Sequence, residues 1–112
     1  PIKMEHLRST KHDDFFVLRD GAAGLFLSAS KFPKVRETRA PKVAELRTVA
    51  EQLDPKYQFL LKAPQKDPDG RPAVIRFSRK SKEQYVQSEI DGKPSGWRAF
   101  YTDGKWQVED KR

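Results

Sequence analysis

The stretch from Arg19 to Thr38 reads RDGAAGLFLSASKFPKVRET, and it sets the architecture of the first half of the chain. Just before it, Phe15-Phe16-Val17-Leu18-Arg19 has the β-branched and aromatic content of a strand and runs into Asp20-Gly21, a turn pair. Leu25 to Ser30 then returns as a second strand. Strand side chains alternate between faces, so Leu25, Leu27 and Ala29 are expected in a core. Phe26, Ser28 and Ser30 fall on an open face bearing one aromatic ring. The following Phe32-Pro33 to Arg36 segment reads as an exposed loop carrying a ring and a guanidinium.

Downstream, Pro41 is expected to open a helix over Pro41–Leu53, since proline is tolerated at a first helical position. Val43, Leu46, Val49, Ala50 and Leu53 recur at helical spacing and make one apolar stripe. Asp54-Pro55 stops that helix and caps a second, short one through Leu61. Lys66-Asp67-Pro68-Asp69-Gly70-Arg71-Pro72 reads as a linker. Beyond it, Ala73–Arg79 with Gln84–Glu89, and Trp97–Thr102 with Lys105–Glu109, form two hairpins, the latter around Asp103-Gly104. Upstream, residues 1–12 lack periodicity and are expected to be a flexible lead-in. The expected fold is therefore α+β, with two small antiparallel β units, at 13–65 and 73–112, and a helix at about 41–53 between them.

Composition narrows the function classes. The 112 residues include no cysteine, which excludes disulfides and thiolate zinc sites. His6 and His12 cannot complete a tetrahedral site alone. No stretch approaches the ~20 apolar residues of a membrane span, and the PIKMEHL start has no signal-peptide character, so a cytosolic chain is expected. Lys and Arg number 23 against 16 acids, for a net charge of +7, which favours a polyanionic partner. The surplus is even: residues 1–62 carry 12 basic and 8 acidic side chains, residues 63–112 carry 11 and 8.

The opening stretch resembles the zinc ribbons of bacterial type IA DNA topoisomerases, which follow R-x-G-x-x-G-x-F-L-x-C-S-x-[YF]-P-x-C-[RK]-x-T. Arg19, Gly21, Gly24, Phe26, Leu27, Ser30, Phe32, Pro33, Arg36 and Thr38 fall in register, while Ala29 and Val35 replace the two thiolates. Ser9 and His12 fall approximately at the other two ligand positions. The run from Arg76 to Trp106, with DGKPSGWRAFYTDGKW, is similar to the extreme carboxyl end of gamma-proteobacterial members of that family. The resemblance implies two zinc-ribbon-like units without zinc. It also implies single-stranded DNA binding in support of strand passage and relaxation of negative supercoils, in the cytoplasm at the nucleoid. The catalytic tyrosine and magnesium would belong to a separate core of the parent enzyme, and this segment, expected to be monomeric, would carry no cofactor. The alternative role it implies is docking to RNA polymerase. A weak internal repeat sets Tyr85-Val86 on Phe26-Leu27, with Arg79 one residue out of step with Arg19.

The candidate contacts are aromatics interleaved with cations: Arg19, Phe26, Phe32, Arg36 and Arg39, then Arg76, Arg79, Lys80, Lys82, Tyr85, Trp97, Arg98, Tyr101 and Trp106. Single strands expose base faces as well as phosphates, so flat rings beside mobile cations match them. Phe16, Val17, Phe77 and Phe100 are expected in the core. Trp97 and Trp106 fit either role, and at least one should be buried. Catalytic readings fail: Asp13-Asp14 beside His12 reads as a solvated loop, and Asp67-x-Asp69-Gly70 lacks the later ligands of a calcium loop.

Overall fold

The computed structural model describes residues 1–112 and divides into two units, Pro1–Pro41 and Lys42–Arg112, each holding a four-stranded antiparallel sheet in sequential strand order.

In the first unit, β1 (Ile2–Arg8) pairs with β2 (Phe15–Gly21), which pairs with β3 (Gly24–Ala29) and through it with the short β4 (Thr38–Arg39). Pairing of Phe16 with Ala29 and Leu18 with Leu27 brings alternate residues to one face, where Met4, Leu25 and these four are buried. The anticipated face of Leu25, Leu27 and Ala29 is thus the core face. Residues 2–8, expected to be part of a flexible lead-in, are instead a paired strand. Met4 sits opposite Phe16, but the next partner of β2 is Arg8, so Glu5-His6-Leu7 bulge out and interrupt the alternation that would have marked the strand. The hairpin turn is Ala22-Ala23, closed by the Gly21–Gly24 pair, two residues beyond Asp20-Gly21. Gly21 leaves room for the Phe26 ring, which would have to shift for a Cβ that would lie 2.9 Å from it.

The second unit opens with α1 (Val43–Arg47), far shorter than the helix expected over Pro41–Leu53. Pro41 precedes it, and the Glu45 carboxylate accepts the Lys42 N–H at 2.9 Å. The Thr48 hydroxyl turns back onto the Glu45 carbonyl at 2.7 Å, a local bond that competes with helix continuation. The chain tightens into 3-10 helices at Ala50–Gln52 and Pro55–Lys62, the second capped by Asp54, whose carboxylate accepts the Lys56 N–H. Val43, Leu46, Val49 and Leu53 are buried all the same, so the apolar stripe survives the change of helical type.

The expected linker at 66–72 is a bracket inside this unit. Its buried Asp67 carboxylate accepts the Asp69 and Arg71 N–H groups at 2.8 and 2.9 Å, and Ala73 bonds both Gln65 and Val43 through its backbone. The strands follow as β5 (Val74–Ser78), β6 (Glu83–Ile90), β7 (Lys93–Thr102) and β8 (Lys105–Asp110). Two-residue turns at Asp91-Gly92 and Asp103-Gly104 have positive φ at both positions, the geometry that matches strand twist and that glycine admits freely. Ile75, Val86 and Ala99 stand side by side across the sheet on its buried face. In each unit an Ala ends the central pairing, Phe16 with Ala29 and Val86 with Ala99, which sets Tyr85-Val86 on Phe15-Phe16. The repeat register drawn from sequence, with Tyr85-Val86 on Phe26-Leu27, is corrected accordingly. No helix is long and apolar enough to cross a membrane.

Candidate nucleic-acid interface

Parity across the second sheet decides which side chains share its outer face. Arg76 lies opposite Tyr85, Gln87 opposite Arg98, Arg98 opposite Glu109, and Phe100 opposite Gln107. All are out of phase with the buried row of Ile75, Val86 and Ala99, so they face outward. There Tyr85 and Phe100 stack with centroids 5.1 Å apart and planes at 23°, and the Arg98 guanidinium lies 5.0 Å over the Phe100 ring. An open groove of about 790 Å³ runs beside this stack, lined by Phe77, Arg79, Lys80, Tyr85, Arg98 and Phe100. A hollow of about 320 Å³, walled by Gln87, Pro94, Trp97 and Lys111, lies against Tyr85 and Arg98 as well.

The charges divide into two groups. Arg76 donates from Nε and Nη2 to the two Glu89 oxygens, both at 2.9 Å, and Gln87 Nε2 donates to the same carboxylate at 2.8 Å. Arg98 Nη2 meets Glu109 at 2.6 Å, with Lys111 Nζ at 3.2 Å. These donors hold both carboxyls below the ordinary glutamate range, Glu89 through Arg76 first and Glu109 through Arg98 first, while Glu89 raises the Arg76 guanidinium. Arg79, Lys80 and Lys82, at the β5–β6 tip, are exposed and pair with no carboxylate. That tip is shaped by Ser78, whose hydroxyl accepts the Ser81 N–H and whose carbonyl accepts the Lys82 N–H at 2.7 Å.

The other anticipated contacts part company. Trp97 is only 3% exposed and belongs to the core, so it leaves the contact set as a free ring. Trp106 is half-buried, stacks on Phe59 at 5.9 Å and donates its indole N–H to the Phe59 carbonyl at 2.9 Å; Tyr101 tilts against both rings. Both rings are on the opposite side of the sheet from Tyr85, the result of parity across the Asp103-Gly104 turn. Phe100, expected in the core, is an outer-face ring. In the first unit Phe32 is 42% exposed and Arg36 is exposed on the same loop with Lys31 and Lys34. Arg19 and Phe26 pair on the face expected to be open, but Ser28 on that face is fully buried and its partner Val17 is buried too, the Ser28 hydroxyl accepting Arg19 Nε at 2.7 Å. Arg39 instead lies 5.1 Å over the Phe16 ring, packing on the core side.

The four ribbon-ligand positions do not suit a metal. Ala29 is buried and Val35 half-buried, both without a donor atom, and no group of three or more potential ligands occurs anywhere in the structure. Ser9 is already committed: it accepts the Lys11 and His12 N–H groups and donates to Glu37 at 2.5 Å, while His12 Nδ1 lies 3.1 Å from the same carboxylate. Glu37 thereby ties the 9–14 loop to the 30–37 loop, the two loops that a ribbon zinc would join. Asp14 makes a second tie, to the Ser30 hydroxyl and the Lys31 N–H. Burial pushes the Asp14 carboxyl up, but these donors and the Phe15 N–H outweigh it and the net direction is down. Chelation with EDTA should therefore leave the thermal melting midpoint unchanged, and a fall in that midpoint restored by added zinc would contradict this account.

The family model described as topoisomerase I zinc-ribbon-like matches residues 3–39 and 70–110, one segment in each unit. The chain is 70% identical over 111 residues to DNA topoisomerase 1 of Pseudomonas aeruginosa, covering 99% of this chain and 13% of that protein. It is 61% identical over 112 residues to DNA topoisomerase 1 of Vibrio cholerae and 56% identical over 112 residues to that of Escherichia coli, covering 100% of this chain and 13% of each. The chain thus spans 13% of the length of these relatives.

Proposed function

This chain belongs to the topoisomerase I zinc-ribbon-like family, and from that premise we propose that it binds single-stranded DNA for a type IA DNA topoisomerase. The observation that carries the reading is the Tyr85–Phe100 stack, open on the outer face of the second sheet beside the unpaired cations of the β5–β6 tip. Rings offer every base the same π surface, and each stacked base contributes about 1–3 kcal/mol regardless of sequence. Duplex DNA hides those faces and meets only the charges. The exposed Phe32, with Arg36 and Lys34 on one loop, supports a second contact in the first unit. Strand cleavage and resealing, with their magnesium, fall to another part of the parent enzyme. This segment would hold the passing or flanking strand, so that strand passage and processive relaxation depend on it.

The test is fluorescence anisotropy of a labelled oligothymidylate against a duplex of equal length, over a range of salt. The single strand should bind more tightly, with log K falling against log salt at a slope near ~−3 if ~4 phosphates are neutralised. Equal affinity for the duplex would remove the stacking argument. No affinity for either DNA would favour the competing role of docking the enzyme to RNA polymerase.

A further inference from the structure

We propose that Glu89 and Glu109 are built-in competitors for DNA phosphate, masking Arg76 and Arg98 so that the outer face grips bases by stacking while free charge comes from the β5–β6 tip and from the exposed Lys105 of β8. This rests on the single-strand reading above and assigns how that site is regulated. An arginine reads a phosphate as it reads a carboxylate, with two parallel N–H donors. Glu89 already fills that fork on Arg76, one oxygen on Nε and one on Nη2 at 2.9 Å each. On Arg98 a single Glu109 oxygen takes both Nε and Nη2, at 3.2 and 2.6 Å. Gln87 and Lys111 brace the two carboxylates from the side.

A strand laid across Tyr85 and Phe100 therefore meets guanidiniums whose charge is already matched. To contact them its phosphates must evict a carboxylate, exchanging one anion for another. While the carboxylates stay, these guanidiniums neutralise no phosphate and release no counterion, and evicting one sacrifices an ion pair already made, so they add little to affinity. Arg79, Lys80 and Lys82 carry no such partner. A strand held in this way keeps base stacking and a few phosphate contacts at one end of the sheet. Its hold is limited, as a tail must be that releases DNA in each cycle.

The experiment uses the full chain and the labelled oligothymidylate. Glu89→Gln and Glu109→Gln keep the shape of the side chain and one acceptor oxygen, freeing Arg76 in the first case and Arg98 together with Lys111 in the second. Glu51→Gln, an exposed acid of the Ala50–Gln52 helix with no ion pair, makes the same change in net charge away from the sheet. Each masking variant should bind roughly threefold or more tightly at ~0.1 M salt, with the slope steeper by about 0.7 for each further phosphate. Arg76→Ala should scarcely move the slope in the parent chain, yet should cancel the gain in the Glu89→Gln background, where no second cation is released. Melting curves identify a variant that has lost its fold, and the two masking sites are independent, so either can decide the matter. If Glu51→Gln tightens binding equally, the effect is general charge and the proposal falls. If neither masking variant changes affinity or slope while Tyr85→Ala still weakens binding, masking is wrong and the single-strand reading stands. If Tyr85→Ala also has no effect, the reading itself is wrong.

Discussion

Replacing Tyr85 with alanine should weaken binding of a single-stranded oligonucleotide about 5- to 150-fold, the equivalent of one lost stacking platform at about 1–3 kcal/mol. Tyr85 is half-buried, with one side of its ring against Phe100. It also borders both the 790 Å³ groove and the 320 Å³ hollow, so its loss opens the floor that bases would cross. The salt slope should be almost unchanged, because no charge is removed. Phe32→Ala in the first unit is the comparison: its loop is exposed, and its effect reports that unit's separate share. The check is a titration of each variant at several salt concentrations, beside a melting curve. A flattened slope for Tyr85→Ala, or loss of the fold, would place the ring in a structural role.

Leu46→Ala should strongly destabilise the second unit, costing about 2–5 kcal/mol. Leu46 is fully buried in α1, where the apolar stripe has only five helical residues to hold it. Truncation removes transfer energy and leaves a cavity that so short a helix cannot close by sliding. For a unit of this size the melting midpoint should drop by about 4–8 °C per kcal/mol. DNA affinity measured well below the new midpoint should match the parent. Weaker binding there, with the fold intact, would mean that the helix acts on the DNA face directly.

The first-unit hairpin was legible because its glycines and alternating apolar residues agree: Leu25, Leu27 and Ala29 face inward as their spacing requires. β1 was hidden because the bulge after Met4 breaks that alternation. Helical spacing located the stripe of Val43, Leu46, Val49 and Leu53, but a stripe does not report whether Thr48 will close the α-helix early. In the second unit, ring chemistry could not separate Trp97 from Tyr85, since both are large and amphipathic. Counting outward from the Asp103-Gly104 turn puts Trp97, Ala99 and Tyr101 on one side and Arg98 and Phe100 on the other, and Tyr85 joins the second side by stacking on Phe100. The same count sets Glu109 directly opposite Arg98, so of the two acid partners only Glu89 was beyond reach. Glu89 lies past a register shift between β6 and β7, so its place beside Arg76 follows from pairing geometry that no local pattern encodes.

The carboxylate ties of the first unit have a consequence for redox chemistry. A zinc ribbon fails when an oxidant converts its thiolates to disulfide or sulfenic acid and ejects the metal. Glu37 and Asp14 offer oxidants nothing to attack. The chain contains no cysteine, and Met4, its one sulfur, is completely buried beneath the sheet. With loops tied by carboxylates and hydroxyls instead of thiolates on a metal, this unit lacks the point at which peroxide would undo a zinc-bearing ribbon.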